Sequence, residues 1–248
     1  VAVAAGDSAW YFPIAHKSGN MSKNIVYKWL QKLCDDHTIT KVFHNALYDL
    51  GWLRAEGIEV KGKIIDTMIA APLLDENRKW YNLNSLARDY LGEFKDEKLL
   101  KSAAEEFGVD PKSGMWQLPP RYVGKYAEQD ALITLKLWDN LSKKITQQEC
   151  TSIFELEIDL LPVLFEMKTK GVRVDVEKAH QTKKDLTKIE KSLVQEIVKE
   201  TGITVEPWVA TSVAKVFDAV GLPYSRTEKS GAPMFTKQSL ANNSHPIA

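Results

Sequence analysis

The sequence predicts an α/β domain over residues 1–150 followed by an all-α segment over 151–248. Three observations predict it. Short apolar runs bounded by turn residues come first and then alternate with helical patterns up to about residue 150. A 25-residue amphipathic stretch, RYVGKYAEQDALITLKLWDNLSKKI, closes that part. Beyond it, two further long helical patterns follow one another with only GVRVD between them.

Taken in order, VAVAAGDSAWYFPI reads as a β-hairpin around a Gly-Asp-Ser turn. In 22–37, Ile25, Trp29, Leu30 and Leu33 suit one helical face. KVFHN is a short strand running into a helix with Ala46, Leu47, Leu50 and Leu53, ending near Gly57. IEVKGKIID contains another strand, and Asp66 is placed to cap TMIAAPLLD. NLNSLARDYLG is a helix closed by Gly92, and 93–120 reads as polar and interrupted, with GVDPKSG a loop. SIFELEIDLLPVLFEMKTKG is an apolar helix ending at Gly171. In 177–202, Leu186, Ile189, Leu193 and Ile197 form a narrow stripe that predicts a long helix lying on one partner. A short helix over 211–220 precedes Gly221, and SRTEKSGAPMFT is a loop.

Composition bounds the function. Lys plus Arg and Asp plus Glu both number 33, so no global basic field attracts nucleic acid and any such contact must be local. No apolar run approaches the roughly 20 residues of a membrane helix. Cys34 and Cys150 lack metal-type spacing, which predicts a reduced, intracellular protein.

The chemistry concentrates in two pairs. Asn45 and Asp49 in FHNALYDLGW are one helical turn apart and share a face. Tyr126 and Asp130 in KYAEQDALITL repeat that spacing. A carboxylate suits a hard divalent cation such as Mg²⁺, and a neighbouring phenol can orient a water. Each pair alone reads equally as ordinary helix surface: a solvated acid with Asn45 as a cap, or a packed Tyr beside a solvated Asp.

Together, and in this strand–helix context, the pairs resemble the second and third motifs of the DnaQ-like 3′–5′ exonuclease superfamily. HNALYDLGWL, IIDTMIAAPLL, LNSLARDYLG and YAEQDALITLKLW follow the order and approximate spacing of the proofreading domain of family A DNA polymerases. FELEIDLLPVLFEMKTKGVRVD resembles the helix joining that domain to the polymerase thumb, and EKSGAPMFTKQSL the loop after the first long thumb helix. The resemblance implies a ribonuclease H-like fold with a mixed sheet, the start of the thumb over 151–248, a phage or bacterial source, and location in the bacterial or infected-host cytoplasm. It implies two-metal hydrolysis with Mg²⁺ or Mn²⁺, in which Asp49 and Asp130 are metal ligands and Tyr126 positions the water. Asn45 and Tyr48 match positions beside the 3′-terminal nucleotide. DNA is the implied partner, as a single-stranded 3′ end at the exonuclease site and a primer-template duplex at the thumb. No processivity partner is indicated.

The family's first motif, D-x-E, belongs on a strand before the opening hairpin, and none precedes Val1. The chain is therefore expected to be a fragment that binds metal weakly, hydrolyses little, lacks a central strand and cannot synthesise DNA alone. Two rivals stand beside this reading. An RNase D-like or Werner-type exonuclease shares both motifs but should lack the helix–GVRVD–helix succession. A non-catalytic DNA-binding scaffold should have lost the acids.

Other residues carry two readings each. Trp80 and Trp116 stack on single-stranded bases, worth about 1–3 kcal/mol per base, or tack their loops to the core. Arg78 and Lys79 contact phosphate or are solvated loop charges. Lys183, Lys184, Lys188 and Lys191 follow a duplex backbone or, with Asp185 and Glu190 between them, form a solvated face. Arg226, Lys229 and Lys237 flank the loop where the resemblance implies duplex contact. His44 reads as a satisfied structural histidine and Asp66 as a cap.

Overall fold

The computed structural model describes residues 1–247. The chain forms two compact units, Val1–Gly171 and Val172–Ala248. The first opens with strands β1 (Ala2–Ala5) and β2 (Ser8–Tyr11), paired antiparallel with Ala2 opposite Tyr11. Helix α1 (Lys23–Asp35) follows. Its buried face is Val26, Leu30 and Cys34, one position away from the face expected. Ile25 and Trp29 are exposed, and Trp29 packs instead on the Phe12 ring, with centroids 4.8 Å apart.

Strand β3 (Lys41–Phe43) runs into α2 (Ala46–Ala55), and β4 (Ile64–Asp66) returns parallel to β3 and leads directly into α3 (Thr67–Leu74). The register sets Phe43 opposite Asp66, so the start of α2 lies beside the start of α3. Among the described residues β1–β2 and β3–β4 are separate two-stranded ladders.

Helix α4 (Leu83–Leu86) continues into a π-helical turn over Ala87–Leu91, closed by Gly92 in the left-handed conformation (φ 67°) that a Cβ disfavours. The segment expected to be irregular contains α5 (Lys98–Glu106). Its apolar face, Leu100, Ala103 and Ala104, is short, and small residues among charges gave it little periodic signal. Helix α6 (Pro120–Gln147) spans the unit. Pro120 at its first turn has no N–H to leave unpaired. Val123, Ile133, Leu137, Leu141 and Ile145 form its buried stripe.

Helix α7 (Thr151–Lys170) belongs to this first unit, although the sequence places it after the α/β domain. Phe154 and Ile158 complete a core with Ile65, Ala70, Ala71, Leu86, Leu137, Leu141 and Ile145, while Leu161 packs with Ala46 and Leu50 of α2. Burying those side chains fixes α7 to the α/β layer, and Gly171 (φ 69°) ends it.

The second unit contains α8 (Val176–Thr201), capped by Asp175 accepting from Lys178 N at 2.9 Å, then α9 (Ala210–Ala219), a β5–β6 ladder (Ser225–Arg226 with Pro233–Met234) and α10 (Lys237–Ala241). Phe217, Tyr224 and Phe235 pack together. The α8 stripe expected to lie on a partner is solvent-exposed: Leu186, Ile189 and Leu193 are all open, and no described residue of α8 is buried. No helix among the described residues is long and apolar enough to cross a membrane. Cys34 and Cys150 are free thiols.

Candidate active site

The turn between β3 and α2 consists of His44 and Asn45. Asn45 takes the left-handed conformation (φ 69°, ψ 57°), which Asn tolerates better than most residues. It occupies the N-cap position, but its side chain makes no capping hydrogen bond. Asp66 does that work from the neighbouring strand. Its Oδ1 accepts from Asn45 N at 2.9 Å and Met68 N at 2.8 Å, and its Oδ2 accepts from Ala46 N at 2.7 Å. One carboxylate, 3% exposed, therefore braces the N-termini of α2 and α3 together. The cap of α3 is as the sequence predicts. The clamp on α2 needs the β3–β4 register and is not readable from local sequence.

His44 is a satisfied structural residue. The Thr67 hydroxyl gives its one proton to the Phe43 carbonyl (3.1 Å), so it accepts from His44 Nδ1 at 2.9 Å. Burial lowers the His44 pKa, with Lys95 adding to the effect and Asp66 opposing it.

Asp49 lies one turn into α2, half-buried. Burial is the main cause that pushes its pKa up to about 6, with the nearby Asp66 charge contributing. Tyr48 is 59% exposed and meets Trp52 edge-on. On α6, Tyr126 is half-buried against Leu100, Leu118 and Val123 and carries Asp130 one turn on. Burial, then the Asp130 charge, pushes the Tyr126 phenol up to about 12. Asp130 is raised by burial against the opposing pull of Lys95. The Lys95 ammonium sits 2.6 Å from Asp130 Oδ1 and 5.2 Å from the centre of the Tyr126 ring. Lys95 lies in a polar segment without periodic signal, so nothing in the local sequence marks it.

Tyr126 and Asp130 on α6 form one group with Lys95, which comes from the segment before α5, and Asn45 and Asp49 form another with Asp66 at the start of α2. The Lys95 ammonium is close enough to His44 to add to the lowering of its pKa that burial causes. Trp80 is 60% and Trp116 53% exposed, so neither tacks its loop to the core. Trp80 carries the Lys79 ammonium 5.5 Å from its ring centre. Arg78 is not a free phosphate ligand, since it pairs with Asp89 at 2.5 Å.

The Asp49 and Asp130 carboxylates are hard oxygen donors, the class that Mg²⁺ or Mn²⁺ takes. They fit such an ion in kind. Among the described residues no three metal-type side chains converge.

The fold is that of a ribonuclease H-like exonuclease with a helical segment following it. A model of the 3′–5′ exonuclease family of DNA polymerase A matches residues 3–146. The chain belongs to that family, the 3′–5′ exonuclease domain of family A DNA polymerases. A DNA-directed DNA polymerase of Pseudomonas phage M6 is 31% identical over 244 residues, covering 96% of this chain and 37% of that protein. DNA polymerase DpoZ of Acinetobacter phage SH-Ab 15497 is 30% identical over 224 residues, covering 84% and 36% respectively. The chain thus spans little more than a third of the length of these curated relatives. The solved polymerase domain of Pol1 from M. smegmatis, in complex with a DNA primer-template and dNTP, shares the fold with a TM-score of 0.62. It is 18% identical, and the match covers 91% of this chain and 35% of that one. Members of the family generally use divalent metal ions.

Proposed function

We propose that the chain's exonuclease domain removes nucleotides hydrolytically from a DNA 3′ end and proofreads for a DNA polymerase. On this reading the exonuclease domain covers residues 1–150 and 151–248 begins the polymerase segment, with α7 the joining helix that packs on the α/β layer. The observation that carries this reading is the Tyr126–Asp130 pair on one face of α6, inside the segment matched to the exonuclease family. The run of α7, an extended 172–175 and α8 favours it over an RNase D-like enzyme. The retained Asp49, Tyr126 and Asp130 count against a scaffold that has lost its acids.

Asp49 and Asp130 would hold the divalent ions, two in the complete site, which when bound would supply water activation and stabilisation of charge at phosphorus. Tyr126 stays a neutral phenol at physiological pH, as its pKa of about 12 requires, and donates a hydrogen bond that orients the attacking water. Asn45 and Tyr48, at the exposed start of α2, receive the 3′-terminal nucleotide, and Trp80 and Trp116 offer ring faces to unpaired bases. Lys183, Lys184, Lys188 and Lys191 on exposed α8 follow the phosphates of a primer-template duplex, so that affinity falls with salt.

The test is release of nucleotides from 3′-labelled single-stranded DNA in Mg²⁺ or Mn²⁺. Asp130→Asn should lower the rate by more than about 10²-fold, the scale of a single catalytic electrostatic group. Release that is unaffected by Asp130→Asn refutes the assignment.

A further inference from the structure

Lys95 is the unusual group of this site. Its side chain is 8% exposed, although lysine is almost never buried without a partner. The partner is Asp130 Oδ1, at 2.6 Å. The backbone on both sides of Lys95 is pinned by the residue next to that acid. Gln129 Oε1 accepts from Asp96 N at 3.0 Å, and Gln129 Nε2 donates to the Phe94 carbonyl at 3.3 Å. The Tyr126 ring face provides a second favourable surface for the ammonium. Helix α6 thus holds the ammonium through Tyr126 and Asp130 and the backbone on either side of it through Gln129.

We propose that the Lys95 ammonium is a built-in counter-cation for Asp130, which a divalent metal ion must displace in order to bind there. The inference rests on Asp130 being a metal ligand, as proposed above. A divalent ion bound to a carboxylate oxygen lies about 2 Å from it. Beside an ammonium already on that carboxylate, the two cations would stand within about 4 Å of each other, where like charges in a partly dry site repel strongly. Metal binding is therefore an ion exchange. The flexible four-carbon stem of lysine lets the ammonium withdraw while its backbone stays fixed by Gln129. Until the metal arrives, Lys95 relieves the cost of leaving Asp130 charged and alone in a half-buried position.

The experiment measures Mn²⁺ binding to the 248-residue chain by the electron paramagnetic resonance of the free ion, with Mn²⁺ alone as the probe. Lys95→Met should bind Mn²⁺ about tenfold more tightly than the wild type, since removing a competing ion pair worth about 1.4 kcal/mol changes an equilibrium tenfold. Lys95→Arg, which keeps the cation, should stay near wild type. Asp130→Asn separates the two claims. If it leaves wild-type binding unchanged, Asp130 is not a ligand, and the site assignment fails together with this inference. If it weakens binding but Lys95→Met binds no more tightly than wild type, the inference alone is overturned. A measurement on the wild-type sequence guards against misfolding of the methionine variant. After reductive methylation with ¹³C-formaldehyde, the Lys95 resonance, assigned by its absence in Lys95→Arg, should move on Mg²⁺ addition. A resonance that stays in place while Mg²⁺ binds overturns the exchange.

Discussion

Replacing Asp66 by alanine removes the carboxylate that braces α2 and α3. Three backbone N–H groups lose a charged acceptor, at 2.9, 2.7 and 2.8 Å in the native protein. They are not equivalent. Met68 N is the ordinary cap of α3, and its loss costs about 1 kcal/mol. Asn45 is exposed, so water can replace the acceptor at its N–H. Ala46 is 0% exposed, so its N–H is left dry and unpaired, at about 1–3 kcal/mol beyond the lost charge-assisted bond. Removing the Asp66 charge also relieves some repulsion on Asp49, a smaller offset. The net expectation is a loss of about 3–5 kcal/mol. Asp66→Asn, which keeps one acceptor oxygen, should cost roughly half as much. Urea unfolding at pH 7 in chelator measures both, and hydrogen exchange locates the effect, with protection falling first at Ala46. If Asp66→Ala costs less than about 1 kcal/mol with Ala46 still protected, the double cap does not hold the turn.

Asp49 gives a pH dependence. Its folded pKa of about 6 lies above the ordinary 3.8, so the folded state binds more protons between those values and stability falls as pH rises through the window. The full separation is worth about 3 kcal/mol. Because solvent reaches part of the group, about 1–2 kcal/mol is expected in chelator, and Asp49→Asn should remove that contribution from the slope. Leu137→Ala, in the fully buried stripe of α6, should cost about 3 kcal/mol and lower Tm by roughly 10 °C in a thermal melt. Tyr126→Phe keeps the ring packing and loses the hydroxyl. The 3′-release assay should show kcat lower by about 10–10² with KM nearly unchanged, and an unchanged kcat would remove Tyr126 from the water-orienting role.

What was legible in the sequence follows from the range of the interactions. The helices α2, α3, α6, α7 and α8 carry long periodic stripes or end signals, and Gly92, Gly171 and Asp66 terminate elements as their chemistry predicts. The spacing of Tyr126 and Asp130 was visible because a helical turn is local. The buried face of α1 is shifted by one position from its apolar pattern because Trp29 finds its partner, Phe12, in the segment after the hairpin. The burial of α7 with the α/β layer was hidden because an apolar helix does not state which neighbour it covers. Lys95 and the clamp of Asp66 on α2 join residues 35 and 20 positions apart, through contacts no short-range pattern encodes.

The α6 stripe constrains how this chain can change over time. From Val123 to Ile145 one face of the helix fills core, and Tyr126 and Asp130 stand on that same face in its N-terminal half, where it meets the site. Each residue advances an α-helix by about 100°. A single deletion between Asp130 and Leu137 would turn every later side chain by that angle against a core that is already full. Substitution is tolerable along α6, but a change in length is not. The turn around Gly108, which no such phase governs, is where related chains should gain or lose residues.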